Sequence, residues 1–241
     1  MTSSTTDHYR AARALVRPAS FAAWLTAAVV AAVLSAPGPV EAQPQVTSVS
    51  PLSLNAQLLV AAREGNVAQV ARLLEQGAAV NSRNRLGKTP LLMACEKGNV
   101  ALAEAALKAG ADVNLASVEG VTPLMAASYS GSANLARLLL AAGARTAALD
   151  RMNKPAAVYA AGQGHAAVLA ALLDAGVDVN APYDHRLTAL MWAAGQGHAE
   201  AVALLLARGA RPELRDDRGQ TALDIARGAG HAEVVSATGL R

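Results

Sequence analysis

Residues 87–98 read GKTPLLMACEKG, and residues 120–131 read GVTPLMAASYSG. The second stretch repeats the first 33 positions later, with glycine, threonine, proline, leucine and a final glycine at matching places. The same spacing can be followed to the end of the chain. One supersecondary unit has therefore been copied, and each copy is expected to stack on its neighbours.

The period is regular over the whole array. With Thr89 as the reference, the equivalent positions are Ala56, Thr89, Thr122, Pro155, Thr188 and Thr221. A glycine after the first helical segment recurs at Gly65, Gly98, Gly131, Gly164, Gly197 and Gly230. A second glycine recurs at Gly77, Gly110, Gly143, Gly176 and Gly209. No insertion interrupts the period.

Each recurring residue has a physical role in a pair of short helices. Thr89 can cap a helix by accepting a backbone hydrogen bond, and Pro90 suits the first helical position because that nitrogen needs no partner. The glycine that follows allows the left-handed conformation that ends a helix. Residues 134–142 carry leucines at three- and four-residue spacing, which predicts a second helix with one buried face.

Together these residues resemble the ankyrin repeat: Gly-x-Thr-Pro-Leu-x-x-Ala, then Gly-Asn or Gly-His, a leucine-rich second helix, and Gly-Ala-Asp-Val-Asn. The resemblance covers residues 54–241. It implies an all-α ankyrin-repeat solenoid of about six helix-turn-helix units with projecting β-turn fingers. The last unit ends in a short polar segment, residues 237–239, so the array is expected to end at Arg241.

Departures from the repeat are local. Thr-Pro is replaced by Ala56-Gln57, Pro155-Ala156, Thr188-Ala189 and Thr221-Ala222. These substitutions leave open where the corresponding helices begin, but they do not change the predicted fold.

Composition and charge exclude several classes of protein. The chain has 241 residues, of which 53% are apolar, and a formal net charge of +3. So small a positive excess, spread along the chain, does not form the basic stripe that a nucleic-acid binder needs. Cys95 is the single cysteine, which excludes an intramolecular disulfide and a zinc site built from several cysteines.

The N-terminal segment has the order of a secretory signal peptide. Three arginines precede an apolar run over residues 21–34, and small residues follow up to Ala42. Residues 1–42 are therefore predicted to be a signal peptide cleaved after Ala42, and residues 43–53 a flexible linker. The alternative is an uncleaved membrane anchor, although the apolar run is shorter than the roughly 20 residues of a spanning helix. Both interpretations place the repeats outside the cytoplasm, in the periplasm or secreted.

Residues that could carry chemistry are better explained by the repeat. His165, His198 and His231 share the period, but stacked helices lie about 8–10 Å apart and zinc needs ligands at about 2 Å. We interpret each of them as the residue that starts a second helix. Cys95 is interpreted as a packed small side chain, and Trp192 as core filling on a first helix.

Sequence motifs for catalysis are also missing. Gly87-Lys88-Thr89 has the ending of a phosphate-binding P-loop, but the position five residues before the glycine is Ser82 instead of a second glycine. There is no Gly-x-Ser-x-Gly motif. The sequence therefore predicts a protein that is not an enzyme, with no catalytic residue, no cofactor and no metal site.

The resemblance implies that a partner is bound by the finger tips and by the exposed side of the first helices. Carried over by position, this surface consists of Arg85, Lys88, Glu96, Lys97, Glu119, Tyr129, Arg151, Met152, Lys154, Tyr183, Asp184, His185, Gln196, Asp217 and Arg218. Tyr129, Met152, Tyr183 and His185 are the preferred anchors, because large amphipathic or apolar groups at exposed tips have little structural reason to be there.

The function implied by the resemblance is protein binding by an exported monomer, without nucleic acid. The layout is similar to that of exported bacterial ankyrin proteins linked to periplasmic catalase and peroxide defence, which suggests support of a periplasmic partner enzyme in stress defence. The alternative is an immunity or inhibitor protein that blocks an exported enzyme. Membrane contact is expected only if the N-terminal segment remains as an anchor.

Overall fold

The computed structural model describes residues 53–237, which lie within one compact unit, Val49–Arg241. The predicted signal peptide and nearly all of the predicted linker lie outside the described residues. Residues 53–237 form twelve α-helices and one 3-10 helix, with no strand among them. The all-α solenoid expected from the sequence is confirmed.

Each of the six units contributes two antiparallel helices. The first helices are α1 (Leu54–Glu64), α3 (Pro90–Glu96), α5 (Pro123–Ser130), α7 (Ala156–Gly162), α9 (Ala189–Gly195) and α11 (Ala222–Ala229). The second helices are α2 (Val67–Glu75), α4 (Val100–Lys108), α6 (Ala133–Ala141), α8 (Ala166–Asp174), α10 (Ala199–Ala207) and α12 (Ala232–Ala237). First helices contact the first helices of adjacent units, and second helices do the same.

Helix starts follow the period because the caps do. Four first helices begin after a threonine whose side chain accepts a hydrogen bond from the backbone N–H three residues later: Thr89, Thr122, Thr188 and Thr221. Pro155 makes no side-chain cap bond, yet α7 still begins at Ala156, in register with the other units. The first unit differs, since Ser53 caps α1 and the helix begins at Leu54 instead of at Gln57.

The core is a continuous layer of leucine and alanine between the two rows of helices. Its largest fully buried leucines are Leu58, Leu91, Leu92, Leu102, Leu124, Leu135, Leu139, Leu169, Leu172 and Leu190. Each small alanine lets neighbouring helices approach closely, while each leucine fills the space between units. None of the helices in residues 53–237 has the length and apolar character needed to cross a membrane.

Five loops, here called fingers, connect the second helix of one unit to the first helix of the next. Finger 1 spans residues 78–88, finger 2 residues 111–121, finger 3 residues 144–154, finger 4 residues 177–187 and finger 5 residues 210–220. Each finger reverses direction in a tight turn at its tip. The fingers and the exposed side of the first helices together form the surface on which the predicted binding residues lie.

Candidate partner-binding surface

Most finger tips are held by a side chain at the first residue of the turn. Asn84 accepts hydrogen bonds from the N–H groups two and four residues later, at 2.9 and 3.0 Å. Asp150 and Asp216 make the same pair of bonds in fingers 3 and 5. An Asn or Asp side chain used in this way mimics a backbone turn and fixes the tip without any contact from outside.

The two aspartates are buried and have partners for their second oxygen. The hydroxyl of Tyr159 donates to Asp150 Oδ2, and Arg218 donates to Asp216 Oδ2 through Nε at 3.0 Å and Nη2 at 2.9 Å. Burial alone raises the pKa of Asp216, but the bonds from the Gln220 N–H and from Arg218 outweigh it and hold the pKa below its ordinary value. Arg218, predicted as a binding residue, therefore also stabilises its own finger.

Finger 4 departs from this scheme because Tyr183 occupies the position of the Asn or Asp. Its side chain is half-buried against the core, and burial, with a smaller effect of Asp178, raises the pKa of Tyr183 to about 12. Tyr183 is thus less available to a partner than its place at a tip suggests. Without a side-chain acceptor, the tip becomes a 3-10 turn, Asp184–Arg186, in which His185 and Arg186 have φ of 56° and 58°.

Apolar side chains project from the tips of the first three fingers. Leu86, Val118 and Met152 are 61%, 47% and 64% exposed, and we call these three residues the tip row. The Val118 N–H donates to the Leu86 carbonyl at 2.9 Å, which ties finger 1 to finger 2. Met152, one of the preferred anchors, belongs to the tip row. Exposing three large apolar side chains on neighbouring tips does not help the chain to fold, and such patches mark interaction sites.

Charged residues flank the tip row. Lys88 Nζ lies 2.7 Å from Glu96 Oε1 within one unit. Arg151 lies 3.6 Å from Glu119 of the preceding finger, and both side chains are more than half exposed. The exposed Arg151–Glu119 pair contributes little to stability, so its charges remain available to a partner, whereas the side chains of Lys88 and Glu96 are only 19% and 27% exposed. Arg85 and Lys97 are exposed on the same surface.

At the C-terminal end of the row of fingers, two aspartates lie beside a histidine. His185 is 3.6 Å from Asp184 and 3.7 Å from Asp217 of the next finger, and all three side chains are at least half exposed. The Asp217 N–H also donates to the His185 carbonyl at 3.1 Å. The structure thus brings together three predicted binding residues that lie in two different units.

Aromatic side chains line the first-helix side of the surface. Tyr129 and Tyr159 meet edge to face, with ring centres 6.1 Å apart, and Lys154 Nζ lies 5.1 Å from the centre of the Trp192 ring. Tyr159 and Trp192 pack against the core but are only partly buried. The interpretation of Trp192 as core filling therefore accounts for only part of its ring, and the rest is exposed at this surface. Tyr159 was missed by the sequence analysis, although its position matches that of Trp192 one period earlier. Gln196, one of the predicted residues, is half-buried in the same region.

The repeated histidines connect units. His165 and His198 precede α8 and α10, as interpreted from the sequence. Their Nε2 atoms lie 3.0 Å from the Tyr129 carbonyl and 3.1 Å from the Gly162 carbonyl of the preceding unit. Within the described residues there is no group of three or more side chains placed to hold a metal ion.

Cys95 is fully buried in α3. Burial, and to a smaller degree the charge of Glu96, raises the pKa of its thiol far above the ordinary value. The side chain is therefore an unreactive part of the core while the unit remains folded.

The fold agrees with comparisons to known proteins. A family model described as three copies of the ankyrin repeat matches residues 58–153 and again residues 157–237. The chain belongs to the ankyrin repeat family. The repeats indicate that this chain is a protein–protein interaction module, and ankyrin repeats are in general non-enzymatic.

Two individual proteins illustrate the similarity. The crystal structure of the ankyrin repeat protein EF0377 matches with a TM-score of 0.67 and 28% identity, over 75% of this chain and 94% of that chain. The mitochondrial disaggregase of Bos taurus is 57% identical over 44 residues, which are 18% of this chain and 6% of the disaggregase. The chain thus matches only a small part of the length of that curated relative.

Proposed function

We propose that the protein is an exported, non-enzymatic adaptor that binds one protein partner through the tip row and the charged residues beside it. The observation that carries the proposal is the exposure of Leu86, Val118 and Met152 on three successive tips. Apolar groups clustered on a rigid scaffold and surrounded by charges are typical of the centre of a protein interface.

The charges at the two ends of the fingers suggest what the partner presents. Asp184 and Asp217 place two exposed carboxylates on fingers 4 and 5, whereas the exposed Arg85 and Lys97 lie near the opposite end. A partner with an apolar centre and a basic side chain next to finger 5 fits this order. Complementary charges of this kind steer association and fix register more than they add affinity.

Export and the role of the partner complete the proposal. The order of basic, apolar and small residues in residues 1–42 supports a cleaved signal peptide and a periplasmic or secreted protein. The partner we propose is a periplasmic enzyme of stress defence, which the adaptor supports. The basis for this last step is the layout of an export signal followed by ankyrin repeats.

Partner capture tests the surface. The full chain, tagged at its C-terminus and expressed in its source organism, is recovered from the periplasmic fraction together with bound proteins. A variant carrying Leu86→Asp and Met152→Asp is expected to lose the partner, because buried unpaired carboxylates in an interface are costly. Leu149→Asp is the matched control, since Leu149 is 53% exposed but lies outside the tip row.

Three outcomes count against the proposal. Equal recovery of the partner by the double variant and by the control removes the tip row from the interface. Full-length chain in the cytoplasmic fraction contradicts export. An assay of the captured enzyme decides its relation to the adaptor: higher activity or longer lifetime in the complex fits support, and inhibition contradicts it in favour of an immunity protein.

A further inference from the structure

Three arginines line one pocket between finger 4 and finger 5. The pocket has a volume of about 170 Å³. Arg186 contributes from one side and Arg211 and Arg215 from the other, and the lining contains no acidic residue. We propose that this pocket binds a phosphate group, in addition to the protein contact made by the tip row.

Guanidinium groups that share a pocket repel one another unless an anion lies between them. Arg215 Nη1 is 3.9 Å from Asp224 Oδ2, and both side chains are largely exposed, so this pair neutralises little. Neither Arg186 nor Arg211 forms an ion pair with any of the described residues. Among the residues that line the pocket no carboxylate balances the three arginines, and arginine offers the planar donor pairs that phosphate oxygens accept.

The pocket walls are fixed before any ligand arrives. Asn180 Oδ1 accepts from the Arg211 N–H at 2.8 Å, and its Nδ2 donates to the Gly209 carbonyl at 3.2 Å. Arg215 Nη1 donates to the Gly219 carbonyl at 2.6 Å, which leaves its other N–H groups free to point elsewhere. Asn180 thus fixes the backbone at Arg211, and the Arg215 side chain is already held in place, so that Arg215 loses little conformational entropy on binding.

Arg186 is in a conformation that arginine rarely adopts. Its φ is 58°, and the equivalent finger positions are Gly87, Gly120, Asn153 and Gly219. A left-handed arginine costs about 1 kcal/mol or more relative to glycine at such a site. Backbone strain concentrates at functional sites. Here the strained residue carries a charged side chain, whereas the equivalent residues of the other fingers are glycine or the neutral asparagine.

The repeat itself provides an internal comparison. The positions equivalent to Arg186, Arg211 and Arg215 are Asn153, Asp178 and Pro182 one unit earlier, and Gly120, Arg145 and Leu149 two units earlier. Neither set contains more than one arginine. The three arginines thus do not follow from the repeat and are specific to this pair of fingers.

Titration of inorganic phosphate into the full chain by calorimetry, at ionic strength held constant with sodium chloride, tests the site. We expect saturable binding to the wild type, weakened by about 10- to 100-fold in Arg186→Gly, which loses a charged donor. Glycine suits the left-handed conformation, so Arg186→Gly is expected to fold with an unchanged or higher melting temperature. Arg145→Ala is the matched control, because it removes one exposed arginine at an equivalent position outside the pocket.

Vesicles distinguish the source of the phosphate group. If the protein co-sediments with phosphatidylcholine vesicles that contain phosphatidic acid, and Arg186→Gly does not, the ligand is a lipid headgroup. If the protein binds inorganic phosphate but not these vesicles, the ligand is a soluble phosphate. Absence of saturable phosphate binding overturns the proposal. Equal weakening in Arg186→Gly and Arg145→Ala also overturns it, because binding then reflects net charge. Binding of a glutamate-rich peptide without any binding of phosphate assigns the pocket to an acidic protein segment instead.

Discussion

At the scale of single residues, the first position of each turn determines how the finger is built. Asn84, Asp150 and Asp216 each accept two backbone N–H bonds, and these three tips keep similar turns. The Tyr183 side chain does not accept such bonds, and the tip of finger 4 instead contains two residues in the left-handed conformation, His185 and Arg186. In finger 4 the loss of the side-chain acceptor thus coincides with a different tip conformation, while the helices of the unit stay in register.

Asp216→Asn separates the turn from the charge. Asparagine keeps the acceptor that Arg218 N–H and Gln220 N–H use, as Asn84 does in finger 1, but it loses the ion pair with the Arg218 guanidinium. Because the pKa of Asp216 is lowered in the folded chain, the carboxylate stabilises the fold above its ordinary pKa of 3.8. That contribution is lost as the pH falls through the lowered folded value.

At pH 7 the free energy of unfolding of the wild type is therefore expected to exceed that of Asp216→Asn by about 1 kcal/mol. Below pH 4 this difference is expected to shrink as the pH falls. Urea unfolding followed by circular dichroism at pH 7, 5, 4 and 3 measures this difference. Glu213→Gln removes the same charge from an exposed position and serves as the control. A difference that stays constant from pH 7 to 3 shows that the Asp216 charge does not contribute.

At the scale of elements, the turn between the helices of one unit is packed by the histidine of the next unit. A Cβ atom placed on Gly131, Gly164 or Gly197 comes within 2.6 Å of the ring of His165, His198 or His231. These glycines are therefore needed for close approach between units as well as for their positive φ. By contrast, nothing lies within 4 Å of a Cβ placed on Gly176, which ends α8.

Gly164→Ala and Gly176→Ala form a matched pair. Both glycines have positive φ, 75° and 89°, so both substitutions incur a backbone strain of about 1 kcal/mol. Gly164→Ala also collides with His198 and is expected to destabilise the chain by about 2–4 kcal/mol in total. Thermal and urea unfolding of both variants give the comparison.

The double variant Gly164→Ala, His198→Ala identifies the cause. Its loss of stability is expected to be smaller than the sum of the two single losses, because removing the ring also removes the collision. Additive losses place the cost of Gly164→Ala in the backbone alone, and the packing explanation is then wrong.

The elements were largely predictable from the sequence, because each of them depends on local chemistry. Threonine caps, glycine ends and leucine spacing act within a few residues. The first helices after α1 begin where the period places them, including α7 at Ala156 after the uncapped Pro155. Contacts between units were not predictable, because they depend on the rotation and translation that relate one repeat unit to the next. The ring of His198 on Gly164, and Lys154 over Trp192, bridge 34 and 38 sequence positions. The half-buried place of Tyr183 has the same origin.

At the scale of the whole molecule, neighbouring fingers are joined by two kinds of link. Asparagine side chains accept from the next finger's backbone in the pairs Asn81–Asp112, Asn114–Arg145 and Asn180–Arg211, at 2.8–2.9 Å. Backbone bonds join Leu86 to Val118, Glu119 to Arg151 and His185 to Asp217. Both kinds repeat with the period, so a missing link is visible by comparison.

Fingers 3 and 4 have neither link. Ala147 stands where the other fingers have Asn81, Asn114 and Asn180, and among the described residues no backbone hydrogen bond connects finger 3 with finger 4. The helices still contact each other across this junction. Because the stability of a repeat array is the sum of unit and neighbour contributions, the junction is expected to be the weakest coupling between adjacent fingers.

Two probes on either side of the junction test this expectation. Cys95 lies in the second unit and is buried, so its reaction with a thiol reagent reports opening of the N-terminal units. Trp192 lies in the fifth unit, and its fluorescence reports the C-terminal units once Trp24, the other tryptophan, is replaced by phenylalanine. We expect the two urea midpoints to differ in this background, because a weak junction lets the two blocks unfold separately.

Ala147→Asn is expected to restore the missing link. Its side chain can accept from the Asp178 N–H, as Asn114 does from Arg145 N–H, and donate to the Gly176 carbonyl, as Asn114 does to Gly143. The added bonds are expected to raise the stability of the junction by about 1 kcal/mol and to bring the two midpoints together. Asn114→Ala removes the asparagine link between fingers 2 and 3 but leaves the Glu119–Arg151 backbone bond, and it is expected to weaken that junction. Coincident midpoints before the substitution, with no change after it, show that helix packing alone couples the units and that the fingers contribute no cooperativity.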